Sequence, residues 1–136
     1  MRVHLGYPAS AAERELLSGV DRRDLLGSLN TVISPDSLQQ LQKTVLEVHV
    51  SAALLDYIQA LVAHTRRSPG LNAGLSPRAA IGLLRAARAW ALIGGRNAVI
   101  PEDVQAVFPS VVEHRVRQRG HEAGEAARLL EAVPIP

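Results

Sequence analysis

The stretch that decides the fold runs from Gly74 to Val116 and reads GLSPRAAIGLLRAARAWALIGGRNAVIPEDVQAVFPSVVEHRV. Ser76 followed by Pro77 is a typical helix start, because a serine oxygen can cap free backbone N–H groups and proline suits the first helical position. The predicted helix ends at Gly94 and Gly95. Its inward stripe, at spacings of three and four residues, comprises Leu83, Leu84, Ala87, Trp90 and Ala91.

A second helix is predicted in the same stretch after Pro101, which again suits the first helical position. Glu102 and Asp103 follow in the first turn, where the positive end of the helix dipole favours acids. Because Pro109 has no N–H to donate, we expect it to end this helix and to start a further segment. The apolar positions of the two pieces are Val104, Val107, Phe108, Val111, Val112 and Val116.

Three more helices are predicted before this stretch, each from a capping residue followed by apolar residues at helical spacing. Ser10 with Glu13 has the spacing of a capping box, and this helix ends near Gly19. A helix capped by Ser34 carries an apolar face that we expect to be buried. A third helix is capped by Ser51 and ends at two arginines, which suit the negative end of the helix dipole.

The connecting and terminal segments carry weaker patterns. Residues 21–33 are predicted to connect two helices with one helical turn, and residues 122–133 to form a last weak helix. Val3, Leu5 and Tyr7 alternate with other residues, which predicts a short strand stopped by Pro8. Since one strand cannot form a sheet, either it is frayed or its partners precede Met1.

Composition favours an all-α fold of five to six helices with this short strand at its N-terminal end. Of the 136 residues 47% are hydrophobic but only 3% are aromatic, so the core is built from aliphatic residues on packed helices. The chain has no cysteine, which excludes disulfides and thiolate metal sites. No apolar run reaches the roughly 20 residues that a membrane span needs, and no secretory signal is visible. We expect a cytoplasmic chain.

No catalytic constellation is visible in the sequence. A phosphate-binding loop needs a glycine-rich turn followed by Lys and Ser or Thr, but the single lysine, Lys43, lies within a predicted helix. His114 and His121 are the best metal-ligand candidates, yet Gly120 interrupts their helical spacing, and solvated surface histidines are the simpler interpretation. We therefore predict no catalytic residue and no metal site in this chain.

Arg78 is the best candidate for contacting a ligand, because it falls in the first turn of a helix. Backbone amides at a helix N-terminus attract phosphate, and a guanidinium adds paired donors. Arg85 lies two turns further at nearly the same angle, and Gly82 and Ala89 keep that face low enough for a ligand or domain to approach. An arginine stripe that only faces solvent is the alternative.

The stretch 74–116 resembles the sensor-2 portion of MoxR-family AAA+ ATPases. MRVHLGYP at 1–8 resembles the end of the last strand of the AAA+ core in that family, and AERELL at 12–17 resembles the first lid helix. Weaker similarity extends to HVSAALLDYIQALV at 49–62 and LLEAVPIP at 129–136. The resemblance therefore covers essentially the whole chain and implies a helical lid.

Three segments follow from this resemblance. Residues 1–8 would end the last core strand and form the hinge, residues 9–119 would be the helical lid domain, and residues 120–136 would be a C-terminal tail helix. The helix at 34–48 resembles the insertion that repositions the lid in this family.

The resemblance also implies a set of nucleotide-binding residues. Arg78 matches the sensor-2 arginine, which contacts the nucleotide's phosphates and couples their state to the position of the lid, in its own or a neighbouring subunit. Ser76 and Pro77 would hold it in place, while Tyr7 and Pro8 match the hinge near the adenine.

The implied activity is that of a larger ATPase. The phosphate loop, the Mg²⁺-binding acids, the first sensor and the arginine finger of the family have no match here, so the chain alone is not expected to hydrolyse ATP. The parent protein would use ATP and Mg²⁺, and neither is expected bound to this chain. The implied partners are the AAA+ core of the parent, neighbouring subunits of a homo-oligomeric ring, and a protein with a von Willebrand factor A domain. The implied function is ATP-driven chaperone or remodelling work.

A basic helical module that binds nucleic acid or another protein is the alternative from a different class. Its arginines would be Arg66, Arg67, Arg85, Arg88, Arg115, Arg117 and Arg119. Thirteen acids and a net charge of only +2 make nucleic acid an unlikely partner. A purely structural interaction domain fits the composition equally well.

Overall fold

The computed structural model describes residues 1–19, 23–69, 71, 73–116 and 124–135. In this part of the chain six α-helices and a short 3-10 helix form, and no strand does, which confirms the predicted all-α class. The helices are α1 (Ser10–Ser18), α2 (Pro35–Glu47), α3 (Ala52–Arg67), α4 (Pro77–Ile93), α5 (Pro101–Val116) and α6 (Glu125–Glu131), and the 3-10 helix is Asp24–Ser28.

Three of the predicted serine caps are confirmed. In each case the side-chain oxygen accepts a hydrogen bond from a backbone N–H three residues later, at Ser34 (3.1 Å to Ser37 N), Ser51 (3.2 Å to Leu54 N) and Ser76 (3.2 Å to Ala79 N). The cap predicted at Ser10 is wrong, because α1 begins at Ser10 itself. Ala9 is its N-cap and only its backbone takes part, accepting from the N–H of Glu13 at 2.9 Å.

The core lies where α4 packs on α5, with α3 and α6 against them. Leu83 and Ala87 of α4 and Val104, Phe108 and Val112 of α5 are wholly buried. Burial of a leucine, valine or phenylalanine side chain contributes about 1.5 to 3 kcal/mol relative to exposure. The stretch 74–116 therefore supplies the centre of the fold, as its pattern predicts.

Trp90 does not belong to the core, which corrects the predicted stripe of α4. It lies in the last turn of this helix and remains 47% exposed. The buried residues of α4 are Ala79, Leu83, Ala87 and Ala91, three of them alanines. These residues recur every four positions, and Trp90 lies about 100° around the helix from Ala91, to the side of the buried row.

Pro109 does not start a new segment, because α5 continues from Pro101 to Val116. Its missing N–H removes one hydrogen bond from the helix, a loss of about 3 kcal/mol in an unsupported helix. Buried residues on both sides, including Phe108 and Val111, fasten α5 to the core. Tertiary packing outweighs the local cost at this position.

The N-terminal third packs far less than predicted. The helix α2 contacts α4 but has no buried residue, and Leu38 and Leu41 are each 47% exposed. Val48, just after α2, is buried. Among the described residues α1 contacts no other helix. The predicted burial of this face is therefore confirmed at Val48 and wrong at Leu38 and Leu41, and α1 and α2 present apolar side chains to solvent.

The strand predicted at Val3 to Tyr7 does not form. A strand needs a neighbour, and the backbone N–H of Arg2 instead donates to the carbonyl of Ser110 on α5 at 2.7 Å. The β-bridge found in the described residues joins His49 to Ala98, between α2 and α3 on one side and α4 and α5 on the other.

The short helix α6 is part of the bundle, since it packs on α5 and α3. Glu113 of α5 fixes its start, because its two carboxylate oxygens accept from the N–H groups of Gly124 and Ala126 at 3.0 Å each. Leu129 and Val133 are buried.

Candidate functional site

Arg78 lies in the first turn of α4, as predicted, and its side chain is exposed. Pro77 occupies the start of the helix, and the Ser76 hydroxyl caps it. Within the described residues no hydrogen bond or ion pair holds the Arg78 guanidinium. A cation at the positive end of a helix dipole gains nothing from that dipole, so its placement suits a bound anion better than it suits the stability of the helix.

The loop before Arg78 is tied to α3 through the backbone of Leu75. Thr65 Oγ1 accepts from the Leu75 N–H at 3.0 Å and donates to the Val62 carbonyl at 2.7 Å. Arg66 Nε donates to the Leu75 carbonyl at 2.9 Å. Both polar backbone groups of one residue are thus held by neighbouring side chains of α3. Thr65 was not identified from the sequence. The available signal was that a polar residue stands within the buried stripe of α3.

Gly74 passes directly against α3. A Cβ at this position would meet Arg66, lying 2.7 Å from its backbone nitrogen and closer still to its Cα and Cγ. Because a backbone cannot swing aside as a side-chain tip can, only glycine fits here without a shift of the loop.

Gly74→Ala is expected to lower the free energy of unfolding by about 1 to 3 kcal/mol, the usual cost of overpacking. Denaturation in urea, followed by circular dichroism, measures the change. Gly82→Ala is the matched control: an added Cβ there has nothing within 4 Å, and alanine in a helix interior stabilises by roughly 0.5 to 1 kcal/mol. Equal stability of the two variants would contradict the close approach at Gly74.

The face of α4 that carries Arg78 is open at its start and lies opposite α2 further along. The space beside Gly82 is empty, as the sequence predicts. Further along, α2 lies beside Arg85 and Ala89, and the three side chains of α2 that line the gap with them are Gln42, Val45 and Leu46. Arg85 also remains exposed there, so this face keeps open space at both ends.

An apolar groove of about 410 Å³ separates α3 from α4 beside the same helix start. Its lining includes Leu55, Ile58, Val62, Pro77, Ile81 and Leu84. Two of these, Leu55 and Ile81, remain about half exposed. Arg78 thus stands next to an uncovered apolar surface.

The structure does not bring Tyr7 and Pro8 together with Arg78 as a packed site. Tyr7 is 97% exposed and Pro8 is exposed, so the described part of the chain covers neither. Gly6 has φ 71°, a left-handed conformation that favours glycine, and its N–H donates to His4 Nδ1 at 3.1 Å. The predicted hinge therefore contains one residue that favours glycine, but its role stays a prediction.

No group of three histidines or acids arranged to hold a metal ion occurs in the part of the chain that the structure describes. His121, one of the two candidate ligands, lies outside that part. Desolvation and then the positive charges of Arg115, the N-terminus and Arg2 lower the pKa of His114 below its usual value.

Among the described residues no helix is both long and apolar enough to cross a membrane.

The arginines of the alternative nucleic-acid surface are partly engaged within the fold. Arg66 donates to Leu75 and Arg115 to the carbonyl of Val111. Arg117 and Arg119 lie outside the described residues. The fold gives this alternative no additional support.

Comparison with known proteins assigns the family. The sequence profile of the AAA lid domain matches residues 63–133, more than half of the chain. The chain belongs to the AAA lid domain family. The matched residues contain α4, α5 and α6 and include Arg78.

The lid is similar in sequence to longer bacterial proteins, one of which is a MoxR protein. It is 36% identical over 126 residues to Chaperone MoxR1 of Mycobacterium tuberculosis, matching 85% of the lid chain and 32% of the relative. It is 32% identical over 142 residues to the protein YeaC of Bacillus subtilis, matching 99% of the chain and 44% of the relative. The chain thus spans less than half the length of either protein.

A solved structure supports the same assignment. The lid is similar, with a TM-score of 0.78 and 27% identity, to a crystal structure from Cytophaga hutchinsonii assigned as an ATPase. The match covers 100% of the lid chain and 46% of the other chain. The bundle is therefore an AAA lid domain whose fold is shared with that protein.

Proposed function

We propose that this lid senses the phosphate state of ATP through Arg78 and converts it into movement of the helical bundle during ATP-driven remodelling of client proteins. The observation that carries the proposal is the exposed Arg78, without a partner in the described residues, in the first turn of α4. One of the relatives is named Chaperone MoxR1, which agrees with work on client proteins.

The chemistry follows from the geometry of the helix start. A guanidinium offers paired N–H donors that match phosphate oxygens, and the amides of the first turn of α4 add a positive partial charge. When hydrolysis removes the third phosphate, this attraction weakens. Hydrolysis itself belongs to the AAA+ core, which supplies the phosphate loop and the Mg²⁺ site.

The packing of α4 suits the bundle to move as one unit when Arg78 is displaced. Arg78 precedes a buried stripe that joins α4 to α5 along most of its length, and α6 is fastened to α5 through Glu113. Close-packed interiors transmit displacement with little compression. A change at Arg78 is therefore expected to move α4, α5 and α6 together.

Exposed apolar residues support the AAA+ core of the same parent and a neighbouring subunit as partners. The residues concerned are Leu16 and Leu17 on α1 and Leu38, Leu41 and Leu46 on α2. Contiguous apolar patches on a soluble surface typically mark contacts with other domains. A von Willebrand factor A partner stays a prediction from the resemblance.

Hydrogen exchange tests the proposal. In a protein that joins this lid to an AAA+ core, the amides of residues 79–82 should exchange more slowly with a non-hydrolysable ATP analogue than with ADP, because Arg78 is then held by the third phosphate. Arg78→Ala should abolish the difference, and Arg67→Ala, which removes an exposed cation at the end of α3, should keep it. Equal exchange in both nucleotides would refute nucleotide sensing by this helix.

A further inference from the structure

We propose that Thr65 and Arg66 are positioning residues for Arg78, acting through the backbone of Leu75. The inference rests on the proposed function of Arg78 and adds how its place is set. In this role neither side chain needs to contact the nucleotide. Their task is to hold the turn from which α4 starts.

The hydrogen-bond pattern at Thr65 leaves its hydroxyl one orientation. Its proton is donated to the Val62 carbonyl at 2.7 Å, so a lone pair is left to accept from the Leu75 N–H at 3.0 Å. The side chain is 1% exposed, which keeps water from replacing either bond. A buried donor or acceptor without a partner is costly, so the backbone at Leu75 is held tightly in place.

Arg66 holds the other side of the same residue, since its Nε donates to the Leu75 carbonyl at 2.9 Å. With both polar backbone groups fixed, Leu75 can neither rotate nor shift along α3 without breaking a bond. Gly74 adds a third restraint, because its backbone runs against Arg66 with no space for a side chain.

The restraint is transmitted to Arg78 over three residues of stiff chain. Ser76 follows Leu75 at once and caps α4 through the N–H of Ala79, and Pro77 has its φ locked by its ring. The first turn of α4 therefore follows the position of Leu75. A misplacement of about 1 Å in a reacting group can cost 10²-fold in rate, so this precision is functionally relevant.

Core packing alone does not explain why residue 65 carries a hydroxyl group. The Leu75 side chain is buried in the core and would remain so beside a valine of the same shape as Thr65. What a valine lacks is the acceptor for the Leu75 N–H. The difference between threonine and valine thus isolates backbone positioning from core volume.

The test measures ATP turnover in a protein that carries this lid on an AAA+ core. Thr65→Val should lower kcat about tenfold with a smaller change in KM, the pattern of an interaction lost in the transition state. Thr65→Ser, which keeps the hydroxyl, should restore most of the rate. Arg66→Met, which removes the Leu75 bond but keeps an apolar stem, should lower kcat in the same direction.

A double-mutant cycle separates positioning from general damage to the fold. In an Arg78→Ala background, Thr65→Val should change kcat less than about twofold, because the group that it positions is already gone. A full tenfold loss in that background, or a full rate in Thr65→Val alone while Arg78→Ala is slow, would overturn this inference and leave the proposed function standing. Unchanged turnover in Arg78→Ala would overturn both this inference and the proposed function.

Discussion

Arg78→Ala is expected to lower kcat/KM for ATP by about 10²-fold in a protein that joins this lid to an AAA+ core, the usual loss when one preorganised donor to developing charge is removed. The guanidinium is free to meet the phosphates, since in the described residues it makes no hydrogen bond or ion pair. Alanine keeps the helix start intact, because the cap comes from Ser76 and the stiff φ from Pro77.

Steady-state turnover at saturating Mg²⁺ measures this effect, with Arg67→Ala as the matched loss of one exposed positive charge. The control should stay within about twofold of the parent, since surface charges contribute little on their own. The unfolding free energy of Arg78→Ala should lie within about 0.5 kcal/mol of the parent's, because the side chain is exposed. A turnover in Arg78→Ala equal to that of Arg67→Ala would remove Arg78 from the site.

Phe108→Ala is expected to lower the free energy of unfolding by about 3 to 5 kcal/mol. Phe108 is the largest of the fully buried side chains and lies on α5 within the α4–α5 contact. Its removal loses apolar burial and leaves a cavity that neighbouring helices fill only in part. A domain with a total stability of about 5 kcal/mol, the lower end of the usual range, would retain little of it.

Urea denaturation of the chain measures this loss, and Ile93→Ala provides the control. Ile93 is 80% exposed at the end of α4, so its truncation should change stability by less than about 0.5 kcal/mol. A loss below about 1 kcal/mol in Phe108→Ala would contradict the packing of α5 on α4.

Local signals predicted most of the helices correctly. Serine caps at Ser34, Ser51 and Ser76 work because a side-chain oxygen three residues before an amide is a local geometry that needs no tertiary partner. The cap at Ser10 failed by one residue, since helix ends without a strong side-chain bond are set by weak energies.

The errors fall where tertiary packing decides. Pro109 was expected to break α5, but buried neighbours on either side hold the helix together. The spacing of Trp90 predicts a core position, but the residue lies to the side of the buried row of α4 and stays half exposed. The α2 face was expected to be buried, and its leucines are half exposed because nothing in the described chain covers them.

For the candidate site too, local sequence signals predicted some residues and missed those that depend on tertiary contacts. The position of Arg78 could be predicted from the sequence, because Ser76 and Pro77 define the helix start locally. The prediction that Arg78 contacts a nucleotide came from the resemblance to the MoxR family. Thr65 could not be found, since its bond to Leu75 joins residues ten apart across a loop. Tyr7 stays a prediction, because no described residue packs on it.

The affinity for ATP relative to ADP tests nucleotide sensing most directly. Titration of a fluorescent ATP analogue and its ADP counterpart into the joined lid and core, with and without Arg78→Ala, compares the two ligands at one site. Arg78→Ala is expected to weaken ATP binding by about tenfold or more, a loss of at least about 1.4 kcal/mol, and to leave ADP binding within about twofold. Equal weakening of both nucleotides, or of neither, would contradict the claim that Arg78 senses the third phosphate.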